Sequence, residues 1–152
     1  MANGSPLQAA TERLVQVFRA DASLSSDVRD AVAAFCVRHD IGQPYLNRAQ
    51  VIADELYMNA VKYGSANPSD VVSLGMGIGD GTLSLSVEDR GNGNGITVEE
   101  LRSLVARHRE EGQPTDVDGR GLSLIVSGWS REMRIEPSAL GGTKITSLIA
   151  LS

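Results

Sequence analysis

Apolar residues recur along this chain with two different spacings, and the change from one to the other divides it. Leu14, Val15, Val17 and Phe18 form a short strand-like run ending near Asp21. Val28, Val32 and Phe35 then recur at helical spacing, with Ser25 or Ser26 as the expected N-cap. Gly42 and Pro44 separate that helix from a second one, roughly Tyr45 to Tyr63. Ala49, Ile52, Leu56 and Ala60 make its apolar stripe, and Gly64 is expected to end it.

Beyond Gly64 the period drops to two. Val72, Leu74, Met76 and Ile78 alternate with small residues, Gly79-Asp80-Gly81 supplies a turn, and Leu83, Leu85 and Val87 alternate with Ser84, Ser86 and Glu88. This pattern predicts a hairpin with one buried face. Thr97 and Glu100 then make a capping box for a helix bearing Val98, Leu101, Leu104 and Val105. A Gly/Pro/Asp-rich stretch runs from Gly112 to Gly121, after which Leu122, Ile125, Val126 and Trp129 give another helical stripe. Met133 and Ile135 mark a further strand, and Ile145, Ser147, Ile149 and Leu151 share one face of the last. Helices segregated from antiparallel strands predict an α+β two-layer sandwich.

Composition narrows this picture without changing it. With 152 residues and no dividing linker, one domain over 1–152 is expected. No apolar run is long enough to span a bilayer, and Met1 to Leu7 lacks the pattern of a signal peptide, so a cytoplasmic protein is expected, with no membrane partner. A net charge of −5 argues against direct nucleic-acid binding. Only Arg102, Arg107, His108 and Arg109 cluster, as the solvated side of a helix does. The single cysteine, Cys36, excludes an internal disulfide and reads as a small buried hydrophobe.

Four short segments can carry chemistry. Glu55 and Asn59 stand one helical turn apart on one face, where an amide oxygen suits magnesium and a carboxylate can orient or deprotonate a hydroxyl. Taken alone they also read as ordinary helix-surface residues. Asp89 opens Asp89-Arg-Gly-Asn-Gly93 and, by period-two counting, lies on the buried face with Leu85 and Val87. A buried carboxylate needs donors, which the exocyclic amine of adenine can supply, although an Asx turn is the plainer reading. Gly119-Arg-Gly-Leu122 opens a helix, a place that favours phosphate. Gly142-Thr143 precedes a strand and says little by itself. There is no P-loop motif, no βαβ unit around the glycines, and no metal-ligand spacing between His39 and His108.

In their order, Glu55-Leu-Tyr-Met-Asn59, Asp89-Arg-Gly-Asn-Gly93, Gly119-Arg-Gly-Leu122 and Gly142-Thr143 resemble the asparagine box and glycine boxes of the histidine-kinase-like (GHKL) ATP-binding domain. DNA gyrase, histidine kinases and MutL proteins share that domain. Within it the chain looks most like the bacterial anti-sigma-factor serine/threonine kinases of partner-switching systems, from Leu14 to Leu151. The resemblance implies a mixed, mostly antiparallel sheet with helices on one face, and ATP and Mg2+ as cofactors. It implies Asn59 as the magnesium ligand, Glu55 as general base or as the group that orients the acceptor hydroxyl, and Asp89 as acceptor for the adenine amine with Thr143 supporting it through its hydroxyl. Gly91 and Gly93 would border the base, while Gly119, Arg120, Gly121 and Leu122 would border the phosphates. Residues 94–118 would form the ATP lid. Arg29, 26 residues before Glu55, is similar to the place where those kinases carry a γ-phosphate-binding arginine. Tyr63 and Ser130 stand where many members carry histidine and aspartate.

The partners implied are a sigma factor and a small STAS-type anti-sigma-factor antagonist, phosphorylated on serine or threonine, with the kinase as a homodimer. Two alternatives stay open. One is a protein-binding module that uses nucleotide only to gate its affinity. The other is a switch kinase of a stressosome or phosphatase pathway.

Overall fold

The first strand, β1 (Glu12–Arg19), turns Leu14 and Phe18 toward the core and leaves Val15 and Val17 exposed on its other side. A computed structural model describes residues 12–91, 98–111 and 129–151. After β1 the Asp21 carboxylate accepts from the Ser23 backbone N–H at 2.9 Å and from Ser23 Oγ at 2.8 Å. These bonds hold its carboxyl below the ordinary aspartate range and cap a single 3-10 turn, Ala22–Leu24. The cap therefore sits one turn earlier than expected. Ser25 is already helical and Leu24, without a side-chain bond, occupies the N-cap of α1 (Ser25–Arg38).

Helix α2 (Gln43–Tyr63) starts two residues before its expected position. Pro44 lies inside its first turn, where the missing N–H would have had no partner anyway. The two helices form a hairpin over one face of the sheet. Strands β2 (Val71–Gly79) and β3 (Thr82–Glu88) are joined by Asp80 and Gly81, whose φ of 52° and 67° give the two-residue turn that matches strand twist. Helix α3 (Val98–Glu111) packs beside β4 (Glu132–Pro137), and β5 (Thr143–Ala150) closes the described chain. The capping residue expected for α3, Thr97, lies outside the described residues, as does most of the helix expected before Trp129.

Among the described residues five strands lie in the order β1-β2-β3-β5-β4, and all four pairings are antiparallel. The expected sheet was mostly antiparallel with a mixed part, which these pairings do not contain. The connections explain the difference: β2–β3 and β4–β5 are joined by loops too short for a crossover. Between β1 and β2 the chain runs out along one helix and back along another, so the next strand arrives antiparallel.

Val28, Val32 and Phe35 of α1 and Ile52, Leu56 and Tyr57 of α2 meet Leu74, Leu83, Leu85 and Ile149 of the sheet in one buried cluster. Tyr57 fixes α2 most firmly. Its ring meets Phe18 edge-on at 6.1 Å. Its hydroxyl donates to the carbonyl oxygens of Arg19 at 2.5 Å and Asp21 at 2.9 Å, and accepts from the Asp21 N–H at 3.2 Å. Cys36 is buried without a disulfide, and burial pushes its thiol up to about 11, as a small core hydrophobe requires.

Candidate functional site

Two flanks of α2 have separate tasks, because successive helical residues are rotated by about 100°. Gln50 and Asp54 face α1. Gln50 Nε2 donates to the Arg29 carbonyl at 3.1 Å, and Arg29 Nη1 lies 3.4 Å from Asp54 Oδ2. Ser25 Oγ completes this group by donating to Asp54 Oδ1, and Arg29 Nη1 reaches that hydroxyl at 3.3 Å. Glu55 and Asn59 occupy the other flank. Arg29 thus meets Asp54 and Ser25, a contact between partly exposed side chains.

Asn59 is only 2% exposed, and its Oδ1 is buried without a hydrogen-bond partner among the described residues. Leaving a buried amide oxygen unmet costs about 1–3 kcal/mol, so such an atom is retained where something else meets it. The half-buried Glu55 stands one turn before it. One neutral oxygen beside one carboxylate fits magnesium, which keeps waters and takes substrate phosphates for its remaining positions.

At the end of β3, Asp89 is 3% exposed. Its backbone extends the ladder to β5, donating to the Thr143 carbonyl at 3.0 Å. Its Oδ1 accepts from the backbone N–H groups of Gly91 and Thr143, both at 3.0 Å. Thr143 therefore supports Asp89 through its amide, which strand pairing places opposite. Two glycines close around the carboxylate. A Cβ on Gly64 would lie 2.0 Å from Asp89 Oδ2, and one on Gly142 would lie 2.1 Å from Oδ1. Gly142 also donates its N–H to the Asp89 carbonyl at 3.1 Å. The loop carrying it is held by Ser138 Oγ, which donates to Glu88 Oε1 at 2.9 Å.

Gly64 was missed as a site residue. Sequence marks it only as a helix stop, yet its φ of −109° needs no glycine. The approach of Asp89 does. Ser130, read as a departure from the family pattern, is buried with its Oγ 2.5 Å from that of Ser147. Gly93, Gly119, Arg120, Gly121 and Leu122 lie outside the described residues, as do residues 94–97 and 112–118 of the expected lid. The part of that lid which is described, from Val98 to Glu111, is helix α3.

The geometry thus brings Asp89, Gly91 and Thr143 together at one sheet end, across Gly64 from the C-terminus of the helix that carries Glu55 and Asn59. The model of the histidine kinase-like ATPase domain family matches residues 18–146, which contain all of these positions. The chain belongs to this family. Its fold agrees: a solved structure of the RsbU and RsbW domains of Rv1364c from Mycobacterium tuberculosis superimposes with a TM-score of 0.61 at 22% identity. That match takes in 93% of this chain and 33% of the other, so the domain spans about a third of that longer protein. Among curated proteins nothing matches. No helix among the described residues is long and apolar enough to cross a membrane.

Proposed function

We propose that this ATPase-family domain is a serine/threonine protein kinase and anti-sigma regulatory factor, which binds a sigma factor and phosphorylates its STAS-type antagonist. The observation that carries the reading is the orphaned Asn59 Oδ1, buried one turn from Glu55. In this reading Asn59 holds Mg2+ together with the nucleotide phosphates, and Asp89 accepts the adenine amine. The metal, when bound, neutralises charge on those phosphates. Gly91 and Gly93 border the base, and Gly119 to Leu122 border the phosphates at a helix N-terminus. Glu55 orients the acceptor hydroxyl and takes its proton as that oxygen bonds to the γ-phosphorus. The bond from the γ-phosphorus to the ADP leaving group breaks in the same displacement. Arg29, whose guanidinium meets Asp54 across 3.4 Å, stabilises charge on the γ-phosphate in this reading.

The order of the four motifs supports the ATPase site, and the position of Arg29 and the fold shared with a chain that contains an RsbW domain support the anti-sigma assignment. The test uses γ-labelled ATP, magnesium and a lysate of the source organism. Wild type is expected to label one small protein on serine or threonine, and Glu55→Gln is expected to bind Mg·ATP normally without labelling it. Labelling by both proteins alike would refute the role of Glu55. Tight Mg·ATP binding with no labelling by wild type would replace the kinase with a nucleotide-gated binding module. A labelled partner from a phosphatase or stressosome pathway would replace the sigma-factor assignment alone.

A further inference from the structure

The flank of α2 that carries Glu55 and Asn59 extends two turns further toward the helix start. Arg48, Val51, Glu55 and Asn59 follow at steps of three, four and four, so they form one continuous stripe. Neither of the first two has a part in holding nucleotide. Arg48 stands about 16 Å along the axis from Asn59, eleven residues at about 1.5 Å each, which puts it beyond a phosphate bound there. Its guanidinium carbon lies 5.8 Å from the ring centroid of Trp129, itself 38% exposed. Among the described residues no carboxylate pairs with Arg48, although the chain carries 19 acidic residues against 14 lysines and arginines. An arginine stacked on an indole face is held in place while its N–H edge stays open to an anion. Val51, between Arg48 and Glu55, is a large apolar side chain left 41% exposed.

We propose that Arg48 selects the protein acceptor by pairing with a carboxylate on it, while Val51 takes an apolar side chain between that acid and the phosphorylated residue. The inference rests on the kinase reading and names its substrate class. Arg48 and Glu55 are separated by seven residues, about 10 Å along the helix. An extended chain covers that distance in about three residues. The acceptor therefore carries aspartate or glutamate about three positions from the serine or threonine presented to Glu55. Arg48 is a specificity residue. Trp129 is a positioning residue that acts through it.

The experiment takes the purified acceptor protein, identified by its labelling with wild type, and compares Arg48→Glu with Arg48→Gln. Arg48→Glu is expected to raise the acceptor KM about tenfold or more, as loss of a close charge pair does. The kcat and the Kd for Mg·ATP are expected to stay within about twofold, since no reacting group is touched. Changing the acceptor acid three positions from the labelled residue to lysine is expected to restore the KM of Arg48→Glu to within about threefold, the mark of direct coupling. Arg48→Gln guards against misfolding: it is expected to raise KM less, with an unchanged melting temperature. An unchanged acceptor KM overturns the inference, as does a parallel loss of Mg·ATP affinity, or failure of every acid-to-lysine change within four positions to rescue. Those results leave the kinase reading standing. Absence of labelling by wild type refutes the kinase reading and this inference with it.

Discussion

Gly64→Ala isolates what surrounds Asp89, because it changes neither the carboxylate nor any of its donors. The backbone at this C-cap has φ −109°, so alanine is unstrained there. Sterics decide the outcome. The new Cβ would stand 2.0 Å from Asp89 Oδ2, 2.3 Å from Cγ and 2.9 Å from Oδ1. Either the carboxylate turns away or the end of α2 lifts. Turning gives up two N–H bonds to a charged acceptor, about 3 kcal/mol together. Lifting the helix end is an overpacking cost of about 1–3 kcal/mol. The cheaper route sets the loss, so about 2 kcal/mol is expected, or roughly 4–8 °C in melting temperature for a domain of this size. ATP affinity should fall by about a hundredfold, since either route displaces the group proposed to accept the adenine amine. Calorimetric titration with Mg·ATP and a thermal melt, on Gly64→Ala, Asp89→Ala and the double variant, test this. Asp89→Ala removes the obstruction, so adding Gly64→Ala to it should cost less than about 0.5 kcal/mol. Wild-type melting and affinity in Gly64→Ala would refute the reasoning, as would the same cost in the Asp89→Ala background.

Tyr57→Phe removes a hydroxyl that meets three backbone groups between β1 and α1. It should destabilise the domain by about 1–3 kcal/mol in urea unfolding while leaving the Kd for Mg·ATP unchanged. Cys36 gives a pH signature. Its thiol rises from 9.0 to about 11 on burial, so the folded state holds the proton more tightly than the unfolded one. That contribution is intact below pH 9 and lost as pH climbs through about 11, and Cys36→Ser should flatten the slope of unfolding free energy across this window. Native protein at pH 8 should also resist a thiol reagent until denaturant is added, and rapid labelling of the native protein would overturn its placement in the core.

Where one periodicity held for a whole element, the sequence was enough. Met76 and Ile78 against Leu85 and Leu83, with Asp80-Gly81 between them, specify a hairpin and its register, because a slip of one residue would turn the leucines to the other face. The same parity placed Asp89 on the buried face, where it lies. Sequence failed where the reason for a residue is a neighbour distant along the chain. Ser25 looks like a cap, but its hydroxyl is drawn to Asp54, 29 residues away. Thr143 is marked by its hydroxyl, and strand pairing adds an amide bond to Asp89 that no local pattern reveals. Gly64 looks like a stop signal, and nothing local reveals the carboxylate against it.

Arg29 shows how neighbours distant along the chain set the surroundings of a candidate residue. Arg29 and Glu55 have the separation that the resemblance requires, and α1 does bring the arginine to α2. Asp54, the residue before Glu55, then takes it. One helical step is about 100°, so a guanidinium held by Asp54 and Ser25 is directed to the α1 side while Glu55 looks out on the other. On the Glu55 side stands Arg48, which no motif marks, and which Trp129 approaches from far along the chain, with Lys62 on the same stripe near the helix end. Each flank of α2 therefore has its own arginine. One is tied by a carboxylate within the chain, and the other is stacked on an indole with no carboxylate beside it among the described residues. This difference in pairing, more than the presence of either residue, makes the Glu55 side the one able to receive an acid from outside.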